Sequence, residues 1–445
     1  MVRYSTPLPS KTGYLTPGPN VPERPEGWTM TDSVAQHAGL PHAVFLHRLA
    51  GESPSSALEP RLGRAAFVAL RLVDLLGPEY TTLHPDAFHY QHVATARCCR
   101  DLPPGTTETS HLVGLVQGTH DAFEQGSVGL VLPALFAYAH YLEDEMRLEE
   151  ALDVLDTLLQ VGGEKLPATD AVGARLRRAR VYRKLNEFDA AEQSYAEGGA
   201  LAATIGDTHS ELLSRIGRAE ALRGRGNLVE AEKSLGGTLA EAEAIGDRHA
   251  QALAHHVLAA VLQTGGRPAD AISHAWVAFQ SYDDEIAQGR ALGDLGSLFL
   301  IVGETDGAQC ALKEAARRGG AQDYVSNALI ELMNCASFCR DRVGFERWRE
   351  QCDARRESMP PNILVDFLLK SGIGRARFGQ FDRAERLLSS ALRIADEAGL
   401  HEFTFRIERI QAGLRDCDCL ETAAESDFRS EAVREVSASL AELGA

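Results

Sequence analysis

From Leu58 almost to the end of the chain, apolar residues recur three and four positions apart, and the pattern breaks at Gly, Pro or Asp roughly every fifteen to twenty residues. With about 3.6 residues per helical turn, that spacing gathers apolar side chains on one face of an α-helix. The strict alternation rich in Val, Ile and Thr that marks a half-buried strand is hardly present. The pattern predicts an all-α chain. Before it lies an amphipathic stretch at 31–50 and a short loop, GESPSS, at 51–56. Residues 1–28 hold Pro7, Pro9, Pro17, Pro19, Pro22 and Pro25. Proline removes amide donors and blocks helix interiors, so a disordered or extended tail is expected there.

The strongest signal is internal repetition. Residues 191–207, AEQSYAEGGALAATIGD, return forty positions later as AEKSLGGTLAEAEAIGD at 231–247. Short turns line up with them: MRLEEA (146–151), NEFDAA (186–191), GNLVEA (226–231), GRPADA (266–271), GETDGA (303–308) and GQFDRA (379–384). Their final alanines, Ala151, Ala191, Ala231, Ala271, Ala308 and Ala384, are spaced by 40, 40, 40, 37 and 76 residues. The last gap leaves room for one more unit, which turns at DRVGFERW (341–348), with Arg347 or Trp348 in place of the alanine. Twelve residues before each alanine stands a second small residue: Ala139, Ala179, Ala219, Ala259, Gly296 and Gly372. Two antiparallel helices approach closely only where the facing side chains are small, so each unit reads as a helical hairpin. Repeated about every forty residues, hairpins stack into a solenoid, each burying its apolar face on its neighbours. The IGD at 205–207 and 245–247 is expected to end one hairpin, through a left-handed glycine, and to cap the next helix through aspartate.

These residues resemble the tetratricopeptide repeat family over roughly 128–400. In GQFDRAERLLSSAL (379–392), Gly379, Phe381, Ala384 and Ala391 fall where that motif has Gly, an aromatic residue, Ala and Ala, and Gly372 fits the small position of its first helix. NEFDAAEQSYAEG (186–198) matches at Phe188, Ala191 and Tyr195. The long period is similar to the arrays of MalT-like activators and peptide-sensing regulators. The resemblance implies a right-handed superhelix of about seven hairpins that binds a protein or peptide and carries no catalysis. The expected organisation is a tail at 1–28, a helical N-terminal cap region at 29–127, the array at 128–402 and C-terminal capping helices with a tail at 403–445, including a final helix near 427–443.

Charge narrows the class of partner. The 445-residue chain has 45 Lys and Arg against 63 Asp and Glu, a formal charge of −18. Such a surface repels phosphate backbones and anionic membranes on average. There is no apolar run near the eighteen residues that a membrane helix needs, and the N-terminus lacks the apolar core of a signal peptide, so a cytoplasmic protein is expected. The eight cysteines follow no framework spacing and read as free thiols, Cys417 and Cys419 included. Neither His84, His89 and His92 nor Cys335, Cys339 and Cys352 has the tight paired spacing of a zinc site. Nucleophile, P-loop and dinucleotide motifs are absent, so neither a catalytic residue nor a cofactor is expected.

Two stretches carry the remaining functional readings. TDSVAQHAGLPHAVFLHRLAGE (31–52) resembles the helix-turn-helix of repressors at Ala35, Gly39, Leu40 and Phe45, which implies an alternative, a regulator touching DNA. Against it, Arg48 stands where an apolar residue belongs, Pro41 opens the second helix, and Arg48 is the only Lys or Arg in residues 31–60. Nucleic acid is therefore an unfavoured partner. The array offers a better surface, because in the repeat family the first helix of each hairpin lines a concave groove. Mapped from the repeat alanines, the groove positions include His140, Arg177, Arg180, Arg183, Lys184, Glu220, Arg223 and Gln263. RLRRARVYRK (175–184) supplies six basic residues in ten. Guanidinium groups bind carboxylates in a bidentate manner, so an acidic peptide or the C-terminus of a polypeptide is the expected ligand. The groove asparagines of the family's carboxylate-clamp form are missing here, and pairing of these arginines with neighbouring carboxylates is the competing reading.

Overall fold

The computed structural model describes residues 40–49, 58–77, 84–319, 322–416 and 431–443, and the expected tail at 1–28, residues 31–39 and 50–52 and the Cys417–Cys419 pair lie outside them. Every regular element among the described residues is helical. Three helices, α1 (Glu59–Asp74), α2 (Pro85–Arg100) and α3 (Thr107–Glu124), precede the repeats. Seven hairpins follow: α4 (Leu132–Asp144) with α5 (Leu148–Gly162), α6 (Ala168–Lys184) with α7 (Phe188–Thr204), and α8 (Thr208–Gly224) with α9 (Leu228–Ile245). The array continues with α10 (Arg248–Thr264) and α11 (Pro268–Ser281), α12 (Glu285–Ile301) and α13 (Thr305–Arg318), α14 (Gln322–Phe338) and α15 (Arg342–Asp353), and α16 (Pro361–Arg377) and α17 (Phe381–Glu397). Helix α18 (His401–Asp416) packs on the last hairpin. The protein is an all-α solenoid.

The repeat positions do what their size dictates. Ala151, Ala191, Ala231, Ala271, Ala308 and Ala384 are all fully buried. Opposite two of them the second small residue is glycine for a steric reason: a Cβ on Gly296 would stand 2.5 Å from Leu312, and one on Gly372 would stand 2.9 Å from Leu388. Five residues before the repeat position the backbone enters the left-handed region in every hairpin, at Met146, Asn186, Gly226, Gly266, Gly303, Arg340 and Gly379. The amide that follows reaches back to the carbonyl five residues earlier, as in Asn227 to Leu222 and Gln380 to Arg375, closing the first helix with the six-to-one bond of a Schellman turn. Between hairpins, Gly206 and Gly246 are left-handed, and the carboxylates of Asp207 and Asp247 accept from the amides of Ser210 and Ala250 at 3.0 Å each. The seventeen-residue echo is therefore packing and punctuation.

The sixth hairpin corrects the sequence register. Its repeat position is Phe345, not Arg347 or Trp348. Phe345 donates its amide to the Asp341 carbonyl just as Ala384 does to Gln380, and its ring is fully buried. Gly374 on α16 makes the room, since a Cβ there would stand 2.3 Å from the ring. A large residue at a small-residue position is accommodated by a small residue on the next hairpin.

The N-terminal region packs on the first hairpin around one continuous core that includes Phe45, Leu70, Phe88, Leu112 and Tyr138. Residues Ala43–Leu49 form a 3₁₀-helix against α1, with Phe45 fully buried. Arg48, the lone strong cation of the helix-turn-helix-like stretch, turns inward: its side chain is 7% exposed and pairs with Glu108 at 2.9 Å and Glu150 at 2.5 Å. The final helix, α19 (Glu431–Leu443), lies against α11 and α13 with Val433, Val436 and Leu440 buried. Its place is thus along the second helices in mid-array, whereas the sequence reading sets it at the end.

Candidate functional site

First helices carry stripes at three, four and seven residues that point to the inside of the solenoid. On α6 the stripe is Arg180, Arg183 and Lys184; on α8, Glu220 and Arg223; on α12, Arg290, Gly293, Asp294 and Ser297; on α14, Tyr324, Asn327, Ala328 and Glu331. Together with α10 and Asp366 of α16 they surround a cavity of about 560 Å³, to which the second helices add only Leu312. That size falls within the range of clefts that hold small ligands.

Of the eight positions read from the sequence, Arg180, Arg183, Lys184, Glu220 and Arg223 come together in this cavity. His140 and Arg177 lie in a neighbouring one of about 470 Å³ with His111, Tyr141 and Asp144. Gln263, at the end of α10, is exposed and lines neither. Arg290, Tyr324, Glu331 and Asp366 were not legible as groove residues. The positions mapped from the alanines lie 7 to 14 residues before them, whereas Arg290 and Asp366 lie 18 before Ala308 and Ala384, nearer the start of the first helix. Following the stripe back seven residues from Ser297 leads to Arg290 and would have found it.

Much of the basic strip is neutralised from within. Glu143 of α4, 1% exposed, takes Arg177 at 3.0 Å, Arg180 at 2.7 Å and Lys184 at 2.7 Å. Burial alone would raise its pKa, but these cations outweigh it and hold the carboxyl below its ordinary range. Arg183 pairs with Glu220 at 3.0 Å. Six cations here, counting Arg223 and Arg290, thus face three carboxylates, Glu143, Glu220 and Asp294, an excess of three positive charges.

Arg223 and Arg290 carry the unbalanced part. Neither makes an ion pair among the described residues, and Arg290 lies over the Tyr324 ring at 5.4 Å. The Nε atoms of Arg183, Arg223 and Arg290 are buried without a hydrogen-bond acceptor. A buried donor left unmade costs about 1–3 kcal/mol, more when charged. An anion in the cavity would be attracted by the positive charge of these guanidinium groups.

No protein-family model and no curated protein matches this sequence. Solved structures do. The Rap conjugation gene regulator of plasmid pLS20 in complex with the Phr* peptide superposes with a TM-score of 0.51 at 11% identity, covering 78% of this chain and 96% of that one. The apo form of the quorum sensor NprR from B. thuringiensis gives 0.49 at 12% identity, over 82% and 97%. A Rap protein complexed with Competence and Sporulation Factor gives 0.48 at 11%, over 77% and 99%. At such identities the likeness is one of fold alone, that of an all-α solenoid of stacked helical hairpins.

Proposed function

We propose that this protein is a binding solenoid, without catalytic function, that holds an acidic peptide or the acidic end of another protein in its inner cavity. The observation that carries the reading is the pair Arg223 and Arg290, two cavity-lining cations with buried Nε atoms and no ion pair among the described residues. The pLS20 Rap regulator, similar in fold, is described with a peptide bound. No helix among the described residues is long and apolar enough to cross a membrane, which accords with a cytoplasmic binder. The DNA-contacting alternative loses its one strong cation, since Arg48 is engaged inside the N-terminal core.

Arg180 and Arg183 are poor places to test this, because reversing them would break pairs that hold Glu143 and Glu220. Arg223→Glu with Arg290→Glu is the informative variant. In fluorescence anisotropy at low salt, a labelled heptapeptide ending in two aspartates binds the native protein. The double variant is expected to weaken it about thirtyfold, from the loss of charged hydrogen bonds. The melting temperature stays unchanged. Equal affinity for both proteins would overturn the assignment.

A further inference from the structure

The far end of the same cavity has the opposite sign. Glu331 of α14 and Asp366 of α16 line it and share one ammonium, that of Lys370, at 2.6 Å from each. Glu331 also accepts from the Asn334 side chain at 3.2 Å, and Arg406 reaches Asp366 only through longer-range attraction. Both carboxylates are 17% exposed and Lys370 is 12% exposed, so water screens the pair of anions poorly. Lys370 is the one cation in contact with these two carboxylates among the described residues, and a third cavity-lining carboxylate, Asp294, held by His256 at 2.7 Å, lies on α12 one turn from Arg290.

Resting on the peptide reading above, we infer that the ligand is dipolar and held in one sense: its carboxylates at Arg223, and an ammonium group at Glu331 and Asp366. A ligand carrying only negative charge would be repelled at the α14–α16 end. Two first helices, α10 and α12, lie between α8 and α14 in the row, so a ligand that touches both ends is extended, and seven residues of extended peptide span at most about 25 Å. The ammonium is supplied either by a peptide N-terminus or by a lysine near it.

The test compares three heptapeptides with the same C-terminal Asp-Asp: one with a free N-terminus, one N-acetylated, and one N-acetylated with lysine as the first residue. Calorimetry is expected to show the free peptide, the lysine peptide or both binding about tenfold tighter than the plain acetylated one, the size of one charge-assisted hydrogen bond. The arm that gains identifies the source of the ammonium. In Glu331→Gln, which leaves Asp366 for Lys370, that gain disappears while the acetylated peptide binds as before. Equal affinities for all three peptides, with Arg223→Glu and Arg290→Glu together still weakening binding, overturn the dipolar inference and leave the binding reading intact. A gain that survives in Glu331→Gln overturns the assignment to this end. Absence of binding by any of the three sinks the peptide reading itself.

Discussion

Arg48→Met is expected to destabilise the N-terminal region by about 3–5 kcal/mol, the usual consequence of removing one partner from a buried ion pair. Arg48 donates to Glu150 through Nε at 2.8 Å and to Glu108 through a terminal nitrogen at 2.9 Å. Glu108, 3% exposed, also accepts from the Tyr138 hydroxyl at 2.9 Å and from Arg147 at 2.8 Å. Burial raises the pKa of both carboxyls even with Arg48 in place. Methionine preserves most of the apolar stem of Arg48 and deletes its charge, leaving Arg147 as the one close cation for two buried carboxylates. Adding Glu150→Gln removes one of those carboxylates, so the double variant is expected to be more stable than Arg48→Met alone. Hydrogen exchange of the α1 and α3 amides reads this local opening directly. A loss below about 1 kcal/mol would be inconsistent with a buried, interdependent network.

The second large effect is a pH dependence centred on His42. Its Nδ1 lies 2.6 Å from Asp153 and its Nε2 lies 3.1 Å from Asp74, with the ring 4% exposed. Burial opposes the charged imidazole, but the two carboxylates outweigh it and raise the pKa from 6.5 to about 9. Because the folded value is the higher one, the imidazolium stabilises the fold fully below pH about 6.5, progressively less as pH rises, and not at all above about 9. The shift corresponds to a contribution on the order of 3 kcal/mol. Between pH 6 and 9.5 the native N-terminal region should therefore loosen, as read by exchange in α1 and α5. A His42→Asn variant should be weaker at pH 6 and nearly flat across the interval. Parallel slopes for the two proteins would show that another group is responsible.

What could be read in the sequence beforehand was whatever repeats. Alanine at a helix crossing and an aspartate cap after glycine are local requirements, so each copy writes them again, as at Ala191 and Ala231. Phe345 escaped because its partner, Gly374, belongs to the next hairpin, and neither residue reveals alone that they interlock. Arg48 and its acceptors Glu108 and Glu150 are 60 and 102 residues apart, a separation without periodicity to expose it. The apolar stripe Val433, Val436 and Leu440 foretells an amphipathic helix but does not specify that α11 and α13 receive it. In the cavity, the strip on α6 was conspicuous because it is dense, yet three of its six cations are taken by Glu143 and two more by other carboxylates. The more isolated Arg223 and Arg290 are the ones left without an ion pair among the described residues.

The central claim is that the inner cavity, at its Arg223 and Arg290 end, is where a ligand sits. Hydrogen–deuterium exchange with and without a saturating heptapeptide ending in two aspartates tests it most directly. Protection is expected on the first helices α8, α12 and α14, with the second helices α9, α11 and α13 unchanged. Protection confined to the second helices, or distributed equally over both sets, would contradict the account.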